Sequence, residues 1–270
     1  MITLTDLTER IDRSLETLSQ DLARGRSETL VAYLKAMARF HRYSVSNVLL
    51  IYSQRPDARQ VAGFHTWKKL GRHVKRGEKS IAIVAPVARH LKTSEPGEGD
   101  AEGRVIVSGF KAAHVFDIAQ TAGEPVPEAP TVRGDPGPFV ERLKEHTRSL
   151  GIELRTEHLP RDISGASCGG AIVLSPDLSP AEEFSTLVHE LAHEMLHLKE
   201  RRGQTTRTVR ETEAEAVAFV VSTAVGLEVG TASSDYIQSY RGTPDTLAES
   251  LGLIQRAAAS ILAGIAPHAV

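Results

Sequence analysis

The sequence predicts two α+β domains joined by a linker, and three observations carry that expectation. Apolar residues recur at helical spacing in both halves, with short β-branched runs between them. Residues 121–138 hold five prolines and three glycines, densest at Arg133–Pro138. Charge is segregated by sign: residues 1–120 carry 19 Lys/Arg against 13 Asp/Glu, a net of +6. Residues 121–270 carry 13 against 21, a net of −8. The expected division is a domain over 1–122, a linker over 123–138 and a domain over 139–270.

In the first half, Leu4, Leu7, Ile11, Leu15, Leu18 and Leu22 predict an amphipathic helix over 3–23 that ends at Gly25. A second helix starts near Ser27, a candidate N-cap, and carries Leu30, Val31, Leu34, Met37 and Phe40. A short helix over Asn47–Gln54 stops before Pro56, and a helical turn over Thr66–Leu70 closes at Gly71. Arg76-Gly77-Glu78 turns into a strand over Ile81–Val87, with returning strands at Arg104–Val107 and Ala113–Ile118. The polar, glycine-rich residues 92–103 read as the hairpin tip between them. The first domain is therefore helices plus a small antiparallel sheet.

The second half predicts a helix over Phe139–Leu150, a strand over Ile152–Leu154 and a strand over Gly170–Leu174, read as a sheet edge. A helix opens at Ser179-Pro180, with Glu182 and Glu183 in its first turn, and runs through Met195. Further helices cover Glu211–Val225 and 243–263, and no internal repeat is present.

Composition excludes several classes. With 41% apolar and 24% charged residues, the chain is of ordinary globular type. No apolar run reaches the ~18–20 residues of a membrane span. The N-terminus lacks the basic and apolar regions of a signal peptide. The single cysteine, Cys168, allows no internal disulfide, which fits a cytoplasmic protein.

His189-Glu190-Leu191-Ala192-His193 carries the chemistry. Two histidines four residues apart on a helix share one face and reach one metal ion. Glu190 lies beside that ion, where a carboxylate can take a proton from water and return it to a leaving amine. A catalytic zinc needs a third protein ligand. The candidates are Glu211, Glu213 and Glu215, 18 to 22 residues after His193. Glu211 and Glu215 share a helix face, so Glu211 is chosen as ligand and Glu215 as a hydrogen-bond partner of a ligand histidine, with Glu213 as the other candidate ligand. His197 lies too far along the helix to share His189's metal and is read as supporting structure. Cys168 precedes the strand beside the expected cleft and is read as a small thiol rather than a ligand. Tyr236 and Tyr240 are candidate assistants. Zn2+ is the expected cofactor, with Mn2+ or other divalent ions as alternatives.

The basic residues cluster in the first half. Residues 31–92 hold 13 Lys/Arg against Asp57 and Glu78, a net of +11. Lys68, Lys69, Arg72, Lys75, Arg76 and Lys79 stand beside Phe64, His65 and Trp67. Cations neutralise phosphates and aromatic faces stack unpaired bases, so this cluster, with Asn47, is the candidate single-stranded nucleic-acid surface. Trp67 could equally be a core anchor.

Two sets of motifs carry a resemblance. Tyr43–Tyr52, Gly63–Gly71, Val74–Lys79 and Val115–Gln120 resemble the N-terminal domain of the ArdC antirestriction family. Phe184–His193 with Glu211–Ala218 resemble that family's zinc-dependent domain and the ImmA/IrrE metallopeptidases. The resemblance implies a single-stranded-DNA-binding domain followed by a gluzincin-like zincin domain with two histidines and a glutamate on the metal. It also implies roles on mobile elements or in DNA–protein metabolism. The expected function is a metallopeptidase that its DNA-binding module brings to DNA-associated protein substrates. The alternative is a non-proteolytic antirestriction factor that protects DNA and whose metal is structural.

Overall fold

The computed structural model describes residues 2–24, 26, 28–90, 105–125, 134–160, 163–197, 199–228 and 244–267. The expectations for Gly25, Ser27, the hairpin tip at 92–103, Tyr236 and Tyr240 fall outside these residues. The chain forms two compact units, one of residues 1–14 and 49–126, the other of residues 15–48 and 127–270. This grouping differs from a cut at residues 123–138. Residues 15–48 cluster with the second half, and the division falls inside helices α1 (Leu4–Ala23) and α3 (Val45–Gln54).

The first unit is built on a sheet of order β1-β4-β3, with β1 at Val61–Gly63, β3 at Ile81–His90 and β4 at Val105–Asp117, all antiparallel. The two returning strands expected from the sequence are one continuous strand, β4. It pairs with β3 from Ile81 opposite Val115 to His90 opposite Val105, with a bulge at Val87/Ala88. Pro86 fits within β3 because that strand lies at the sheet edge, where no ladder donor is lost. The core joins Leu7, Leu50 and Ala82, flanked by Ile11, Val84 and Ala112. Helix α4 (Phe64–Lys69) follows β1, and β2 (Arg72–Val74) pairs with β5 (Thr121–Gly123). Gly123 sits at φ +133°, and a Cβ there would meet the Gly71 carbonyl, so this position requires glycine.

The Val115–Gln120 motif is a structural lock. Asp117 is buried, and its Oδ1 accepts the backbone N–H groups of Arg59 at 2.8 Å and Gln60 at 3.0 Å. Gln120 completes a capping box with Asp117, and its Nε2 donates to Lys79 O at 2.7 Å and Glu78 Oε2 at 2.9 Å. Orphan backbone donors are thus satisfied where loops converge.

In the second unit, α5 (Phe139–Ser149) precedes a sheet of order β6-β8-β7. Strand β6 (Glu153–Thr156) is parallel to β8 (Ala171–Leu174), and β7 (Gly165–Ser167) is antiparallel to it. The expectation that Ala171–Leu174 forms the edge is corrected. All four residues are buried because the strand is central, as an uninterrupted apolar run favours, and β7 is the edge. Helix α6 (Pro180–Leu196) starts at the Ser179–Glu182 capping box with Pro180 in its first turn. Helix α7 (Lys199–Gln204) has no counterpart in the sequence reading. Helix α8 (Arg207–Ala224) begins four residues earlier than expected, capped by the Thr206 side chain. The final helix, α9, spans Pro244–Ile265.

Helices α6 and α8 pack together, and Leu187 and Leu191 of α6 and Ala214, Val217 and Val221 of α8 are all buried. Helix α9 packs on α8, with Leu251 and Ile254 beside Thr212 and Ala216, and α2 (Glu28–Arg39) also packs on α8. Each fully buried Leu or Val contributes about 1.5–3 kcal/mol, so this helical layer fixes the faces of α6 and α8 that carry the polar residues.

Candidate metal centre

The apolar face of α6 turns His189, Glu190 and His193 toward one end of α8. His189 Nε2 and His193 Nε2 lie 3.1 Å apart. Glu211 Oε2, from the first turns of α8, is 3.6 Å from the former and 3.5 Å from the latter. A tetrahedral ion with bonds of about 2.0–2.1 Å has ligand–ligand edges of about 3.3–3.4 Å. The donor triangle therefore fits a divalent ion in both chemistry and size, and it is the only such cluster among the described residues.

The neighbours set the protonation of each ligand. His189 Nδ1 lies 3.2 Å from Glu215 Oε2, which assigns the proton to Nδ1 and leaves Nε2 for the metal. His193 Nδ1 meets His197 Nδ1 at 2.8 Å, and His197 Nε2 meets Glu213 Oε2 at 3.0 Å. Glu213, the other candidate ligand, is fully buried and points away from the donor triangle. It also receives Arg201 at 2.7 and 3.2 Å and the Ser250 hydroxyl at 2.6 Å.

Electrostatics follow from this packing. Burial disfavours the His189 imidazolium, but the carboxylates of Glu211 and Glu215 outweigh it and raise its pKa to about 9 in the metal-free protein. The His189 and His193 contacts hold Glu211 well below the usual carboxylate range. Burial pushes the Glu190 carboxyl upward against the pull of the two histidines. Burial also lowers His197, with Glu213 opposing it.

Two residues that sequence reasoning missed shape the cleft. Glu194 accepts the Ser167 hydroxyl at 2.6 Å and the N–H groups of Gly169 at 2.8 Å and Gly170 at 2.7 Å. Burial alone would raise its pKa, yet these donors hold it low. It thereby clamps the β7–β8 turn, where both glycines have positive φ. Gly165 lies against Glu190: a Cβ there would stand 3.0 Å from Glu190 Cγ and 2.6 Å from Thr186 Cγ2. The signal for Glu194 was an acidic residue directly following the motif. Gly165 gave none. A cleft of about 630 Å³ runs past Ser167, Cys168, His193, Glu194 and Arg202, and Cys168 is exposed on its wall.

The basic cluster fares unevenly. Trp67 is 0% exposed, and its Nε1 donates to Phe116 O at 2.8 Å. The expectation that it stacks a base is therefore corrected: the ring fills the core and its one polar atom is satisfied. Phe64 is the exposed aromatic of α4, at 50%. Arg72 is committed to β5 through Thr121 Oγ1 at 2.8 Å and the Glu124 carbonyl. Lys75 Nζ reaches Ala119 O at 3.0 Å, while Lys68, Lys69, Arg76 and Lys79 are exposed. Asn47 is half-buried in α3 and belongs to the second compact unit, whereas the basic cluster belongs to the first.

Residues 3–116 match the N-terminal domain of anti-restriction factor ArdC, and residues 140–259 match the IrrE N-terminal-like domain. The two matches, in this order along the chain, support an ArdC-type antirestriction protein. The crystal structure of the ArdC protein from the R388 plasmid in its Mn(II)-bound form has the same fold. It superposes with a TM-score of 0.51 and 20% identity, over 84% of this chain and 86% of that one. The metal-free form gives a TM-score of 0.48 and 21% identity over 82% of each chain. An uncharacterized protein of Bacillus anthracis is 28% identical, covering 79% of this chain. The chain spans about 43% of that relative's length. The region that matches the IrrE N-terminal-like domain holds the candidate site for a divalent metal. No helix among the described residues is long and apolar enough to cross a membrane.

Proposed function

We propose that this chain is a single-stranded-DNA-binding zinc metallopeptidase that hydrolyses peptide bonds in DNA-associated proteins of the cytoplasm. The observation that carries the reading is the His189–His193–Glu211 donor triangle with Glu190 buried beside it. Two imidazoles and a carboxylate favour zinc, and the Mn(II)-bound R388 relative makes Mn2+ the alternative. When bound, such an ion supplies a Lewis acid that polarises the scissile carbonyl and acidifies water. Glu190 removes the proton from the attacking water and delivers it to the leaving amine. Its raised pKa suits both halves of that transfer. The open edge of β7 offers backbone groups to an extended peptide, and Gly165 keeps that strand close to Glu190.

In the first unit, Phe64 offers a face for base stacking, and Lys68, Lys69, Arg76 and Lys79 neutralise phosphates. Linking the two modules raises the effective concentration of the peptidase at DNA-bound proteins. The test is cleavage of a DNA-binding protein by the zinc-loaded chain, with and without single-stranded DNA, beside Glu190→Gln. DNA-stimulated cleavage that disappears in the variant supports the reading. Absence of cleavage across several substrates by a chain shown to hold zinc refutes it.

The match to an anti-restriction factor favours a second reading, in which the protein shields DNA and the metal holds the fold. That reading expects Glu190→Gln to protect DNA from a restriction endonuclease as well as the wild type does.

A further inference from the structure

The two candidate ligand histidines are supported in different ways. His189 leans directly on Glu215, which is partly exposed. His193 is held from behind by a chain in which the side chains of His197 and Glu213 are fully buried. One proton assignment satisfies the whole chain: His193 Nδ1–H donates to His197 Nδ1, and His197 Nε2–H donates to Glu213 Oε2. This assignment leaves His193 Nε2 free as a donor to metal. Glu213 also accepts from Arg201 of α7 and from Ser250 of α9. A buried carboxylate is tolerated only when paired and hydrogen-bonded, and here four donors converge on it from α7, α9 and the C-cap of α6.

We propose that His197, Glu213, Arg201 and Ser250 form a positioning relay that couples metal occupancy at His193 to the docking of α9. This rests on the reading that His189, His193 and Glu211 hold a divalent ion. A metal at His193 Nε2 makes the Nδ1–H a stronger donor, which strengthens each link toward Glu213. Linkage is reciprocal. If the Ser250 contact favours metal binding by some factor, metal binding favours the docked α9 by the same factor. The Glu215 contact reaches His189 Nδ1 and not the His193–His197–Glu213 chain, so it serves as the internal comparison.

The test measures Zn2+ affinity of the full chain by competition with a chromogenic chelator, and hydrogen exchange across residues 247–262 with and without Zn2+. Glu213→Gln places an amide N–H2 opposite a donor whichever way it turns. Its affinity should fall about 10–100-fold, with a shift in the visible bands of the Co2+-substituted protein that reports on His193 orientation. Ser250→Ala removes one bond without leaving a buried charge unpaired, so it keeps the test alive if Glu213→Gln fails to fold. Its affinity should fall roughly 5-fold. Zn2+ should slow exchange in α9 of the wild type and do so roughly 5-fold less in Ser250→Ala. Glu215→Gln should weaken Zn2+ binding while leaving the wild-type slowing of α9 once saturated. Affinities within twofold of wild type for both Glu213→Gln and Ser250→Ala, or α9 exchange indifferent to Zn2+ in the wild type, would overturn the relay. Failure of the wild type to take up Zn2+ or Mn2+ at all would instead sink the metal reading itself.

Discussion

Metal binding at this site should be a proton exchange, and its pH dependence can be worked from the structure. In the metal-free protein, His189 carries a proton up to about pH 9 because Glu211 and Glu215 flank it. Glu215 takes the Nδ1–H, so the second proton sits on Nε2, facing His193 Nε2 at 3.1 Å. That proton occupies the place of the metal. At pH 7, two pH units below this pKa, removing it costs about 2.7 kcal/mol, or roughly 100-fold in affinity. Apparent Zn2+ affinity should therefore rise about tenfold per pH unit between pH 7 and 9 and level off above that range, with about one proton released per ion at pH 7. Titration calorimetry in two buffers of different ionisation enthalpy counts the proton, and chelator competition from pH 6.5 to 9.5 gives the slope. A flat profile with no proton release would refute the reasoning, because it would mean that His189 is already neutral without metal.

Three further outcomes follow from the same geometry. The metal-free protein should lose stability as pH rises from about 6.5 through 9, since the raised pKa of His189 contributes only while the imidazolium persists; melting at pH 7 and 9.5 should show the drop, and Zn2+ should abolish it. Trp67→Ala should lower stability by about 3–5 kcal/mol in denaturant melts, whereas Phe64→Ala should leave stability nearly unchanged and weaken single-stranded DNA binding by about 1–3 kcal/mol in anisotropy titrations. Gly165→Ala should cost about 1–3 kcal/mol in stability by crowding Thr186 and Glu190, and should lower the peptide-cleavage rate more than it lowers metal affinity.

Much of the candidate site was legible because helical periodicity is local. The i, i+4 spacing aligned His189 with His193, and the same rule put Glu211 and Glu215 on one face of α8 with Glu213 on another. The structure brings together His189, His193 and Glu211, and it pairs Glu215 with His189. What periodicity does not state is the destination of the other face. Glu213 turns into the layer between α8 and α9 and meets Ser250, 37 residues away in sequence. Arg201 enters through α7, a helix too short to leave a periodic signature.

The sequence by itself determined the α+β class, the longer helices and the motif pair, because each rests on a repeat, a cap or a spacing within a few residues. Only the tertiary structure decided which strand lies at the sheet edge, that Trp67 is core and Phe64 surface, and that Glu213 is a buried acceptor of α7 and α9 donors. Those outcomes depend on what packs against each face. Burial and hydrogen-bond satisfaction are set by residues distant in the chain, so no local pattern encodes them.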